Sequence, residues 1–273
     1  MKASRQSGVQ PRAHGRLQLS CARRGPKSEI SKLHQKGSVK ALFPRSPLGH
    51  LDAVFLNTAG GITGGDVYEY ALDVGQGSSL RITSQAAERI YKAPPGQTGS
   101  LNVTARIEDG ASLQWLPQET IVFDEARLRR TLTVEMSETA KVLCVEPIIF
   151  GRSAMGETVQ SAQIWDDWRV RLGGDLIFAD ATRIDGEVHQ TLSDAAIADG
   201  CVAMATILLV SGDADVKLKP LRRALGPSGG ASLIREGVLF ARVLASDGFS
   251  LRQSLIPAIE ALTDMQIPKN WRI

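Results

Sequence analysis

The chain has 273 residues, 43% of them hydrophobic and 5% aromatic, with a net charge of +3, so it carries enough apolar material for one large domain or two small ones. No apolar run approaches the ~18 residues of a membrane-crossing helix, the longest being 202–210, and the charged N-terminus lacks the apolar core and cleavage site of a secretory leader. Cys21, Cys144 and Cys201 stand far apart without a C-x-x-C spacing, so the expectation is a cytoplasmic protein with reduced thiols and no membrane partner.

Residues 1–28 hold Lys2, Arg5, Arg12, Arg16, Arg23, Arg24 and Lys27 and no acid before Glu29. Residues 1–14 read as a basic arm, a solvated leader rather than a nucleic-acid reader, since aromatic platforms and a recognisable reading motif are missing. Residues 15–273 are expected to form a single domain: a β body over 15–210 and a helix-strand-helix appendage over 211–273. Within the body, 67–74, 79–84, 100–109 and 127–136 alternate apolar and polar residues, and Gly, Asp or Pro punctuates them. That is the period of strands.

An internal echo refines the picture. "GSSLRITSQ" (77–85) and "GASLQWLPQ" (110–118) align without a gap, "TAKVLCVEP" (139–147) is a weaker third copy, and "GASL" returns at 230–233. A spacing near thirty residues is that of one strand-turn-strand unit stacked on the next, which predicts a layered, β-helix-like stack. In such a stack Ser84 and Glu146 occupy equivalent places, and strand alternation sends Thr83 and Ser84 to opposite faces.

Beyond 210 the texture changes. Residues 213–226 place Val216, Leu218, Leu221 and Leu225 at near-helical spacing, with Arg222 and Arg223 near the end and Gly226 as a stop; Pro220 is either a kink or the first turn. Strands follow at 232–236 and 237–245. A second helix follows over 246–265, with Leu251, Leu255, Ile259 and Leu262 on one face. The predicted fold is mainly β, with a small C-terminal α/β appendage of two helices.

The densest motif is "AGGITGGD" (59–66), where Gly60, Gly61, Gly64 and Gly65 precede Asp66. A Walker loop needs Lys-Ser/Thr after the last glycine, and a dinucleotide fingerprint needs glycines at positions 1, 3 and 6 opening a helix; neither is present. His14, His34, His50 and His189 are isolated, which gives no ready tetrahedral metal site. Glu146, inside the apolar "VLCVEPIIF", needs a partner. For Glu146, Glu157 and Asp66 a buried salt bridge, with Arg152 for instance, competes with the lining of a wet passage.

"NTAGGITGGD", "ITSQAAERIYK", "LQWLPQETIVFDEAR" and "GRSAMGE" occur in this order, and together the chain resembles the urease accessory proteins UreD, also called UreH, from about Gly15 to the closing "IPKNW". The family often has two threonines at Thr83-Ser84 and a lysine in the stretch held by Glu88-Arg89. The resemblance implies a β-helical, non-enzymatic scaffold in a hetero-oligomeric complex. Its implied partners are UreF, the GTPase UreG and apo-urease, to which the complex delivers nickel, with no resident cofactor. It further implies a nickel passage lined by Asp66, Thr83, Ser84 and Glu146, and motif positions at Gly60, Gly61, Gly64, Gly65, Gln85, Arg152, Gly156 and Glu157. The competing expectation is a hydrolase or nucleotide-binding enzyme on a β scaffold, using loop 60–66 with Glu146 and Glu157.

Overall fold

Turn-punctuated strands wind into a stack. The computed structural model describes residues 11–46, 48–152, 156–263 and 267–272. Most of the basic arm over 1–14 lies outside them, as do Ser153, Ala154 and Met155 of "GRSAMGE". The chain opens with β1 (His14–Arg24), β2 (Lys27–Gly37), β3 (Val39–Leu42) and β4 (Leu51–Asn57). It then winds through β5 (Val67–Val74), β6 (Ser79–Ser84), β7 (Glu88–Ile90), β8 (Gly99–Ile107), β9 (Ser112–Trp115) and β10 (Thr120–Val122). The winding ends with β11 (Ala126–Met136), β12 (Lys141–Phe150) and β13 (Ser161–Leu172). Strand content is 54% of the described residues against 15% helix, which settles the class as mainly β.

Successive strands alternate between two walls. One is a seven-stranded sheet in the order β14-β13-β11-β8-β5-β1-β2, where β14 is Asp175–Glu187. The other, ten-stranded when β7 and β10 are included off its main path, runs β16-β17-β15-β12-β9-β6-β4-β3, where β15 is Ala203–Val210, β16 Gly229–Arg235 and β17 Val238–Ala245. The wound strands pair in parallel, β4 with β6, β6 with β9 and β9 with β12 in one wall, β5 with β8, β8 with β11 and β11 with β13 in the other. The short strands β7 and β10 form a third row, in parallel with the end of β12.

The sequence echo is this pairing. Ser79 faces Ser112, which faces Lys141, and Ile82 faces Trp115, which faces Cys144, residue for residue as the aligned copies predict. The recurrence at 230–233 is different: it lies in β16, which pairs antiparallel with β17 and is not a winding strand.

Alternation then builds two apolar layers. Leu80, Ile82, Leu113, Trp115, Leu128 and Ile164 point into the stack and form the larger core. Leu116, Leu143 and Val145 point out from the ten-stranded wall and are covered by α2 (Ala214–Leu225), α3 (Gly248–Leu262) and Trp271. On α3, Leu251, Leu255, Ile259 and Leu262 are all buried, and Asp247 caps the helix by accepting the Ser250 N–H at 2.7 Å. Arg252 ties the helix to the β9–β10 connection through Glu119, Nη2 to Oε2 2.8 Å. On α2 the expected face is narrower than the spacing suggested: Leu221 and Leu225 are buried, but Val216 is 65% exposed and Pro220 lies inside the helix. A short helix, α1 (Val188–Ser193), was not foreseen; six residues with two apolar anchors give no periodic signal.

Candidate functional site

The inward face of the winding strands is not wholly apolar. In β11 the inward positions are Ala126, Leu128, Arg130, Leu132, Val134 and Met136; in β13 they include Ala162, Ile164, Asp166, Trp168 and Val170. The parallel register sets Arg130 beside Asp166. The guanidinium grips that carboxylate twice, Nε to Oδ1 at 3.0 Å and Nη2 to Oδ2 at 2.6 Å, a bidentate pair. Glu146, inward on β12, places Oε2 3.0 Å from Arg130 Nε, and its Oε1 accepts the Trp115 indole N–H at 2.6 Å. Arg130 Nη1 donates to Thr120 Oγ1 at 3.2 Å. Burial opposes the charge on Arg130, but Asp166 and Glu146 outweigh it and hold the guanidinium firmly protonated. Burial raises the Glu146 carboxyl; Arg130 pulls it back down and the charge on Asp166 adds to the rise. One cation between two carboxylates makes the second charge the expensive one.

The polar file continues along the stack. Thr120 pairs with Glu88 across β10 and β7. The Glu88 carboxylate accepts from Asn57 Nδ2 at 3.2 Å and from the Arg89 N–H at 3.1 Å, and Asn57 Oδ1 in turn accepts from the Tyr68 hydroxyl at 2.9 Å. A cleft of about 210 Å³ lies against Glu88, lined also by Asn57, Gly60, Ser84 and Gln85. From Tyr68 and Asn57 the file passes through Glu88, Thr120 and Arg130 to Glu146 and Asp166, four rungs at about 4.8 Å each.

Burial pushes the Glu88 carboxyl up to about 7, against the opposing pull of Asn57 and the Arg89 N–H and charge. A raised folded value means the folded chain binds the proton more tightly than the unfolded one. The contribution is therefore favourable below the unfolded value of about 4.5 and is lost as pH rises toward about 7. The Glu88→Gln variant is expected to lack this loss. Urea melts at steps between these limits should show wild type weakening relative to the variant; a constant difference would refute the half-buried, proton-binding Glu88.

Of the residues singled out from sequence, Glu146 belongs to the file and Ser84 borders its cleft. Its proposed partner needs correction: Arg152 pairs with Glu157, Nε to Oε2 2.6 Å, and stacks on Phe123 at 4.4 Å, whereas Glu146 meets Arg130. Gly156 lies in the loop just before Glu157, with φ 67°. Asp66 is 5% exposed, and its two oxygens accept the N–H groups of Ala13 (2.8 Å) and Thr63 (2.9 Å), stapling the chain ahead of β1 to the glycine loop. Thr83 and Ser84 are both buried, yet alternation holds. Ser84 Oγ accepts the Gln118 N–H at 2.8 Å and donates to Ala86 O at 2.9 Å, while Thr83 Oγ1 faces the C-terminal segment and accepts from Asn270 Nδ2 at 3.0 Å. The C-terminal cover, not a bulge, buries the outward member. Thr83 and Ser84 share Asn270, whose Nδ2 donates to Thr83 Oγ1 and to Ser84 O, but neither shares a hydrogen-bond partner with Asp66 or Glu146 among the described residues, and Ser84 and Glu146 are two rungs apart, about 10 Å.

The glycine loop is explained by its neighbours. A Cβ on Gly61 would stand 2.2 Å from the Tyr91 ring and 2.7 Å from Arg89 O, and one on Gly64 2.8 Å from Gln97. The next turn of the same chain fills the space that a side chain at these positions would need. The loop feeds β5, so no helix N-terminus stands behind it for a phosphate. Among the described residues no three His, Cys, Asp or Glu side chains are grouped to hold a metal.

Sequence reasoning passed over Glu88 as a site and missed Arg130, Asp166 and Thr120. Their signal was present: each charge occupies an inward position of an otherwise apolar alternation, which solvated charges do not do.

The family model described as UreD urease accessory protein matches residues 13–272. A Roseobacter denitrificans protein named "Urease accessory protein UreD" is 45% identical, covering 97% of this chain and 96% of its own. A Ruegeria pomeroyi protein of the same name is 44% identical over 94% of this chain and all of its own length, and one from Mesorhizobium japonicum 42% over 96% and 95%.

Proposed function

We propose, from the premise that the chain belongs to the UreD family of urease accessory proteins, that it is a non-catalytic scaffold of urease maturation. In this reading it binds UreF, engages the GTPase UreG through that complex, and docks on apo-urease so that nickel reaches the active site. The full-length match carries the reading. Membership supports a role in urease maturation as such; the partners and the cargo are the finer proposal. The buried file is compatible with a divalent cargo in transit, since scattered carboxylates and hydroxyls offset lost hydration without a complete ligand set to trap the ion. On this proposal Ser84 and Glu146 border the route, Asp66 holds the loop at its side, and Thr83 stands under the C-terminal segment at Asn270. No helix of the described residues is long and apolar enough to cross a membrane, and the complex is proposed to be cytoplasmic.

The test is co-expression of urease with its accessory proteins, with and without this chain. Urease activity and bound nickel are expected to depend on it, and the purified chain is expected to turn over neither GTP nor ATP. Full activation without the chain, or turnover abolished by Asp66→Asn or Glu146→Gln, would return the reading to the hydrolase on loop 60–66.

A further inference from the structure

The two walls of the stack are finished differently. The helices α2 and α3 cover the ten-stranded wall, while the outward side chains of β8, β11, β13 and β14 meet solvent. Arg106, Arg129, Arg169, Arg171 and Arg183 are exposed there, with Arg127 half-buried beside them. The carboxylates on the same patch are Glu135, Asp167, Asp185 and Glu187. Arginine thus exceeds acid six to four among the outward side chains of these four strands. At its centre the register aligns Arg129, Trp165 and Arg183 across three strands. Both guanidinium carbons flank the indole, at 5.7 and 5.9 Å from the ring, and Asp167 fixes Arg183 at 2.5 Å.

We propose that this outer face of the seven-stranded sheet is a docking surface for an acidic protein surface within the maturation assembly. Arg and Trp are the residues that concentrate binding energy at protein interfaces. Cation–π contacts on a rigid strand row hold them before binding, which lowers the entropy lost on association. Four strands about 4.8 Å apart and nine residues long span on the order of 600 Å² in projection, near the ~800 Å² per partner of a stable interface. The positive excess selects an acidic partner and speeds the encounter. A second copy of the chain would bring the same excess against itself. Nucleic acid is disfavoured because Glu135, Asp167 and Asp185 lie among the arginines and would meet phosphates.

The inference rests on the maturation reading for the identity of the assembly. Its test uses the full chain carrying Arg129→Gln, Arg169→Gln and Arg183→Gln, with Trp165→Ala as a separate variant. Each is checked for a wild-type melting profile and measured against purified apo-urease and each accessory protein at low and high salt. Binding to one of these proteins is expected to weaken at least about tenfold in the triple variant, and wild-type association to slow with salt more steeply than the variant's. Equal binding by folded variant and wild type would overturn the surface while leaving the maturation reading intact. If wild type binds none of these proteins, the maturation reading fails and the surface's assignment with it. Arginine-dependent binding to a DNA duplex or to anionic vesicles, with protein binding unchanged, would also overturn it.

Discussion

Replacing Arg130 with methionine is expected to destabilise the chain by about 3–5 kcal/mol, the usual penalty for breaking a buried ion pair from one side. Arg130 is 4% exposed and is the cation between Asp166, 4% exposed, and Glu146, 2% exposed. Methionine fills much of the volume but leaves Asp166 ionised in the core or forces it to take a proton. Thr120 also loses its donor. The measurement is a urea transition followed by tryptophan fluorescence, since Trp115 donates to Glu146 and reports on the same region. The variant that also carries Glu146→Gln and Asp166→Asn removes the stranded charge and is expected to recover most of the loss; where the single variant yields no soluble protein, recovery by the triple one is the readout. A loss below about 1 kcal/mol, or a triple variant no better than the single one, would mean that the guanidinium is not what neutralises this interior.

The winding was legible because it repeats. Leu80, Leu113 and Val142 stack because each rung needs an inward apolar residue at the same offset, and that need wrote the echo into the sequence. The long helix α3 was legible for a related reason, four leucine-type residues at helical spacing. What stayed hidden depends on contacts between rungs. Arg130 in "RLRRT" and Asp166 in "WDDW" each stand on the apolar phase of their strand, but which partner neutralises each is visible only once the register places them together, thirty-six residues apart. Thr83 and Ser84 were separable by alternation, but that both are buried follows from Asn270 folding back over β6, a contact across 187 positions that no local pattern carries. The glycines of loop 60–66 announced a close approach without saying to what.

Replacing Glu146 with leucine is expected to lower urease activation and bound nickel to the level seen without the chain, while the complex with the other maturation proteins stays assembled. The substitution suits the question because of what it leaves behind. Arg130 keeps its bidentate bond to Asp166, so the interior becomes a neutral pair, and the main structural loss is the acceptor of the Trp115 N–H, about 1–3 kcal/mol. Glu146→Gln keeps that acceptor and removes only the charge, so the same loss of activation in this milder variant would assign the effect to the carboxylate. Glu88→Leu, two rungs along the file by way of Thr120 and Arg130, is expected to act in the same direction. Asp66→Leu is not an equivalent probe, because its oxygens hold the Ala13 and Thr63 N–H groups and their loss disturbs the loop that starts the winding. The readouts are urease activity and nickel content after co-expression, with affinity pull-down of the partners as the control for assembly. Full activation by Glu146→Leu, or loss that appears only together with dispersal of the complex, would remove the passage and leave Glu146 as the counter-charge that lets an arginine sit inside a β stack.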